Sequence, residues 1–296
     1  MKLKALFAEE HVPEDVEIGG LTADSRNVKP GDLFAALKGV AQDGRTYIPQ
    51  AIEQGAVAIL SDSPVEGAGL PVIVSAEPRR ALALASARFY SGQPNVMVGV
   101  TGTNGKSSTV DFLRQIWTDI GHPAASLGTL GMIGPQGQVD LGHTTPDPVA
   151  IHRHLDLVAK QGVTHLAMEA SSHGLAQHRM DGVKFAAVAF TNLTQDHLDY
   201  HKDFDDYRAA KLRLFTGLAK PGSLAVINAD SRETNVFEAA ALDAGLRPLS
   251  VGWRGADLKI RELSPRATGQ MMDVIYQEKS YEIELPLIGE FQALNA

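Results

Sequence analysis

Short apolar runs alternate with amphipathic stretches along this chain, and the apolar spacing switches between strand-like and helix-like periods. LFAAL at 33–37, AVAIL at 56–60 and PVIV at 71–74 read as buried strands, with YIPQAIEQG at 47–55 and RALALASARFYSG at 80–92 as their helical partners. Ser91-Gly92-Gln93-Pro94 then punctuates the chain, and the run from Val96 to Val100 opens a new unit. Leu113, Ile116, Trp117 and Ile120 recur at i, i+3, i+4 and i+7 before Gly121, which predicts a helix. HLAMEA at 165–170, AAVAFTN at 186–192, SLAVINAD at 223–230 and PLSVGW at 248–253 predict further buried strands between helical stretches. The alternating segment from Asp257 to Leu287 predicts a strand pair. The expected fold is α/β: a small amino-terminal domain over 1–92, then a domain over 93–296 with a mostly parallel sheet and helices on both faces. The closing GEFQALNA starts an amphipathic helix with no stop signal, so the chain reads as a fragment.

Composition narrows the possibilities. With 44% apolar residues over 296 positions, the chain can bury two cores. Lys and Arg number 27 against 35 Asp and Glu, a net charge of −8, which argues against a general nucleic-acid or membrane surface and requires any anion site to be built locally. MKLKALFAEE is too short in its apolar part for a secretory signal, and no apolar run approaches the roughly 18 residues of a membrane span, so a cytoplasmic protein is expected. Without cysteine, any metal site must use oxygen and nitrogen ligands.

The chemistry concentrates in a few stretches. VTGTNGKSST at 100–109 is a glycine-rich turn between a strand and a helix, the arrangement that offers backbone N–H groups, a lysine charge and a hydroxyl to a triphosphate and its cation. The spacing is unusual: position 100 is Val where the common pattern needs Gly, leaving a shorter loop from Gly102 to Gly105-Lys106-Ser107. In MEASSHGLAQHRM, Glu169 ends a buried strand, a position suited either to a divalent cation or to helix capping. NLTQDHLDYH at 192–201 places His197 and His201 four apart, but Leu198 stands where a zinc protease needs Glu, which excludes that class. Lys211 in YRAAKLRLF reads by itself as a solvated helix lysine. Asp24-Ser25-Arg26 offers a phosphate or uracil contact or merely a self-bonded turn, and HTTPDP at 143–148 offers hydroxyls to a ligand or a cap to a helix beginning near Pro148.

Taken together, DSR with KPGDLFAALKG, TGTNGKSS, HTTPDP, MEASSHGLAQHR, NLTQDHLDYH, AAKLRLF and GEFQALNA resemble the Mur ligase family over the whole chain, and the shortened loop is that family's own form. The resemblance implies a UDP-sugar-binding first domain and a P-loop-type ATPase domain. It further implies ATP-dependent amide-bond formation on UDP-N-acetylmuramoyl-L-alanyl-D-glutamate, with meso-diaminopimelate or L-lysine as the incoming amino acid. By that resemblance Gly102, Thr103, Asn104, Gly105, Lys106, Ser107 and Ser108 cradle the ATP phosphates, and Asn295 lies near the adenine. Ser107, Glu169, His197 and Lys211 serve two Mg²⁺ ions, Lys211 as a CO₂-derived carbamate; Lys106, Lys211 and His197 are the catalytic set. Ser25 touches the uridine, while Thr144, Thr145, Ser171, Gln177 and Arg179 hold the muramoyl-dipeptide end. Ser107-Ser108 stands where Thr is frequent, and Gln292 where many relatives carry Asn. The family's carboxyl-terminal domain, which recognises the amino acid, is expected to be missing. Two competing readings follow: a folylpolyglutamate synthase, which shares the loop but lacks the DSR domain and HTTPDP, and a fragment that binds nucleotides without ligating.

Overall fold

The structure, a computed structural model, describes residues 1–39, 42–194 and 200–296. Two compact units result: 1–93 together with 147–157 and 177–182, and a second holding the remainder.

In the first unit, α1 (Leu3–Leu6), β1 (Gly20–Thr22), β2 (Asp32–Ala35), α2 (Ile48–Glu53), β3 (Ala58–Ser61), β4 (Val72–Val74) and α3 (Pro78–Phe89) follow one another. The strands form a parallel sheet in the order β1-β2-β3-β4. Period-two alternation explains why both faces are dry. Leu33, Ala35 and Leu60 pack with Leu3, Leu6 and Leu82 on one face, while Phe34 and Ile59 pack with Ile48 and Ala51 on the other.

The second unit is built on β5 (Val96–Thr101), α4 (Lys106–Asp119), β6 (Ala124–Gly128), β7 (Gly131–Gly134), β8 (Gly137–Val139), α5 (Pro148–Lys160), β9 (His165–Glu169), α6 (Ser172–Ala176) and β10 (Phe185–Phe190). It continues through α7 (Phe204–Arg213), β11 (Ala219–Asn228), α8 (Thr234–Asp243), β12 (Arg247–Gly252), β13 (Leu258–Arg266), β14 (Gly269–Tyr276), β15 (Lys279–Leu285) and α9 (Glu290–Asn295). The first residues of α5, to Leu157, count with the first unit. An 11-stranded sheet among the described residues runs β15-β14-β13-β12-β11-β10-β5-β9-β6-β7-β8. Pairing is parallel from β13 through to β6 and antiparallel at both edges. The α/β class and the parallel core match the expectation from periodicity.

Two expectations change. The segment after Asp257 forms three strands, β13 to β15, not two: MMDVIYQ and YEIELPL form the expected antiparallel pair β14–β15, and Leu258–Arg266 adds β13 along β14 although its side chains are mostly exposed or half-buried. Helix α4 forms as predicted, but its inward face is Val110, Leu113 and Trp117, packed with Val98, Val100 and Ala167, while Ile116 and Ile120 stay exposed. β6 and the two strands that lead from it to the sheet edge, β7 and β8, lie in a glycine-rich stretch whose pattern gave no strand signal. No described helix is long and apolar enough to cross a membrane.

Candidate functional site

β5 lies between β10 and β9, both later in the chain, so the winding direction of the sheet reverses around it. Such a switch point opens a crevice at the carboxyl ends of the strands. Three segments meet there: 102–105 after β5, Glu169 at the end of β9, and 191–194 after β10.

The loop after β5 is held open by glycine. Gly102 has φ 153°, and a Cβ there would overlap the Thr191 hydroxyl; Gly105 has φ 88°, and a Cβ would overlap the Asn295 side chain. The Thr103 N–H donates to the Asn192 carbonyl (2.8 Å) and the Asn104 N–H to Asn192 Oδ1 (3.0 Å), while Thr191 Oγ1 donates to the Asn104 carbonyl (2.6 Å). The first turn of α4, which carries Lys106, Ser107 and Ser108, has N–H groups with no acceptor within the helix, a set of donors open to an anion. Thr109 Oγ1 donates to the Asn295 carbonyl (3.1 Å), which brings Asn295 against this loop.

Glu169 is 2% exposed, and its carboxylate accepts from Ser107 Oγ (2.8 Å), the Thr129 N–H (2.7 Å) and Thr129 Oγ1 (3.3 Å). A Cβ on Gly128 would overlap that carboxylate. Thr129 also meets Thr144, Oγ1 to Oγ1 at 3.1 Å. Thr145 Oγ1 donates to the Glu169 carbonyl (3.2 Å) and accepts from Ser171 Oγ (2.9 Å) and the Ser171 N–H (3.2 Å). Ser107, Glu169, Thr144, Thr145 and Ser171 thus form one cluster. A carboxylate beside a hydroxyl at the glycine-rich loop is a set of hard oxygen donors, whose chemistry fits Mg²⁺. Thr129 escaped the sequence reading because a lone threonine between glycines carries no motif.

Lys211 is 1% exposed on α7, against the solvated position that a helix lysine usually takes. Its Nζ donates to the Gly102 carbonyl (2.7 Å) and lies 4.5 Å from the centre of the Tyr207 ring. Lys106 Nζ donates to the same Gly102 carbonyl (3.0 Å) and to that of Thr103 (2.8 Å). Two ammonium groups therefore converge on one oxygen at the loop. Tyr207, not singled out from sequence, is fully buried, with its hydroxyl 3.2 Å from Thr103 Oγ1.

His197, with Asp196 and Asp199, lies outside the described residues. Nearby His201 is 2% exposed and shares a hydrogen bond between Nδ1 and Asp206 Oδ2 (3.1 Å); that bond holds the Asp206 carboxyl below the usual carboxylate range. Among the described residues no group of three or more His, Cys, Asp and Glu is placed to hold a metal ion.

Ser25, Gln177 and Arg179 belong to the first unit. Ser25 is buried and donates to Gln50 Oε1 (3.0 Å), and Arg179 donates to Gln177 Oε1 through Nη2 (2.9 Å). Asp24 accepts from Arg26 through the backbone N–H (3.0 Å) and Nη2 (2.7 Å), which lowers the Asp24 carboxyl pKa and makes this stretch a self-bonded turn.

Fold and site together define an α/β protein with a glycine-rich strand–loop–helix cradle at the switch point of its main sheet. Its residues 100–296 match the Mur ligase middle domain and its residues 17–90 the Mur ligase family catalytic domain. The chain belongs to the Mur ligase family. It is 47% identical to a UDP-N-acetylmuramoyl-L-alanyl-D-glutamate–2,6-diaminopimelate ligase of Bradyrhizobium diazoefficiens, covering 100% of this chain and 63% of that one. It is 49% identical to the enzyme of that name from Agrobacterium fabrum, covering 95% and 57%. A solved structure of a ligase with the same name superposes with a TM-score of 0.89 at 28% identity, covering all of this chain and 61% of the other. The chain thus spans about three-fifths of the length of these relatives.

Proposed function

We propose that the chain is the UDP-substrate- and ATP-binding part of a cytoplasmic amide ligase of peptidoglycan-precursor synthesis, which joins meso-diaminopimelate to UDP-N-acetylmuramoyl-L-alanyl-D-glutamate. The observation that carries this reading is the convergence of Lys106 and Lys211 on the Gly102 carbonyl, next to the Ser107–Glu169 pair. Like charges this close repel, and the repulsion is relieved by an anion at the loop or by conversion of one of the two lysines to an anion. The names of the relatives favour diaminopimelate over L-lysine as the added amino acid.

In this reading the D-glutamate γ-carboxylate attacks the γ-phosphorus of ATP, the bond to the bridging oxygen breaks, and ADP leaves. The incoming amine then attacks the acyl carbon, loses a proton and expels phosphate. Lys106 balances charge on the transferring phosphoryl group, while the first turn of α4 directs N–H groups to the β-phosphate side. Ser107 and Glu169, with His197 and Lys211, would hold Mg²⁺, which supplies positive charge to the phosphate oxygens. A carbamate on Lys211 would replace one of two crowded cations by an anion, which suits the crowding around Gly102. Asn295 would approach the adenine, and Ser25, Thr144, Thr145, Ser171, Gln177 and Arg179 the UDP-substrate.

ADP release in the presence of UDP-N-acetylmuramoyl-L-alanyl-D-glutamate, with meso-diaminopimelate, with lysine and with neither, tests the reading. Release dependent on diaminopimelate in the longer enzyme supports it; dependence on lysine reassigns the amino acid. In that enzyme Lys211→Ala should lower turnover by at least about tenfold, with partial recovery on adding small carboxylate ions. Unchanged turnover would remove Lys211 from the catalytic set.

A further inference from the structure

We infer that Tyr207 is a positioning residue that couples the phosphate loop to Lys211, an inference that rests on reading 102–108 as the ATP cradle. Tyr207 and Lys211 stand one helical turn apart on α7, so the ring of the first lies along the side chain of the second. The ring face sits 4.5 Å from Lys211 Nζ, and that Nζ reaches the Gly102 carbonyl. At the far end of the ring, the hydroxyl meets Thr103 Oγ1 at 3.2 Å. Thr103 Oγ1 also accepts from the Thr194 N–H (2.9 Å) and lies 3.2 Å from the Thr194 carbonyl, so one hydroxyl ties α7, the loop and the segment after β10 together.

The two links have different consequences. The Thr103 link fixes the loop from its side-chain face and leaves Gly102 and Gly105 in the positive-φ conformation that glycine permits. The ring link sets the Tyr207 face against Lys211 Nζ while that Nζ donates to the Gly102 carbonyl. Movement of the loop on accepting phosphates is then transmitted through the ring to the lysine, and loss of the hydroxyl should loosen the loop without removing any phosphate-facing group.

The test is MgATP affinity of the purified chain, measured by calorimetry alongside melting temperature. Tyr207→Phe keeps the ring and should weaken MgATP about fivefold, the equivalent of one neutral hydrogen bond, with melting nearly unchanged. Thr103→Val should weaken it similarly, Thr103→Ser should restore most of that loss, and Thr103→Val with Tyr207→Phe should be no weaker than the worse single variant. Full additivity, or a lowered melting temperature with unchanged affinity in Tyr207→Phe, would reduce Tyr207 to packing and overturn the inference. Should Tyr207→Phe fail to fold, the Thr103→Val and Thr103→Ser pair decides from the loop side: equal affinities overturn it. Absence of MgATP binding in the wild type, unchanged in Lys106→Ala, would instead overturn the cradle reading and the coupling with it.

Discussion

At Gly102, one carbonyl oxygen serves two lysines while the α-carbon faces the Thr191 hydroxyl, so the residue is constrained from both sides. Gly102→Ala should therefore weaken MgATP by at least about tenfold and lower the melting temperature, because φ 153° is costly for alanine and the new Cβ has nowhere to go. In the first unit, His152 is 3% exposed, with Nε2 2.9 Å from the Asp181 carbonyl, and burial lowers its pKa to about 4. The folded state then binds fewer protons than the unfolded chain, in which the group titrates near 6.5. Its contribution to stability is present above pH 6.5 and declines as pH falls toward 4. Urea midpoints at pH 7.5 and pH 5 should diverge in the wild type and converge in His152→Gln.

Elements hold the site by their packing. Phe237 on α8 stacks on Phe190 at the end of β10 (centroids 3.7 Å) and meets Phe215 edge-on (5.3 Å), so α8 is pinned to the strand that leads into Thr191 and Asn192. Phe237→Ala should cost about 3 to 5 kcal/mol, read as a lower urea midpoint, and should loosen MgATP binding as a secondary effect. Elements were also where the sequence was most readable. β5, β9 and α4 announced themselves because a doubly covered parallel strand must be apolar throughout and a helix must repeat near 3.6 residues, and β10 did so by its apolar run although one of its faces is only partly covered. β14 and β15 were legible in the alternation of MMDVIYQ and YEIELPL, whereas β13 was missed because its side chains are mostly exposed or half-buried and its place comes from backbone pairing with β12 and β14, which leaves little imprint on side-chain pattern.

At the scale of the molecule, a chain of net charge −8 brings two lysine amines onto one loop carbonyl at the switch point of its main sheet. If the two units bind different ligands, UDP should protect the first and MgATP the second. Hydrogen exchange with each ligand in turn should then slow amides around Ser25 in one case and around 102–109 in the other. Equal protection in both units by MgATP would argue against this division. The chain itself determined the alternation of strands and helices, the shortened glycine loop with Lys106 and Ser107, and the place of Glu169 at a strand end. Each is written in contiguous residues whose spacing local geometry dictates. Only the tertiary structure decided that Lys211, a lysine on a helix, is buried against Gly102, that Thr129 grips Glu169, and that Tyr207 reaches Thr103. Those contacts join residues 40 to 109 positions apart, brought together by the order of strands in the sheet.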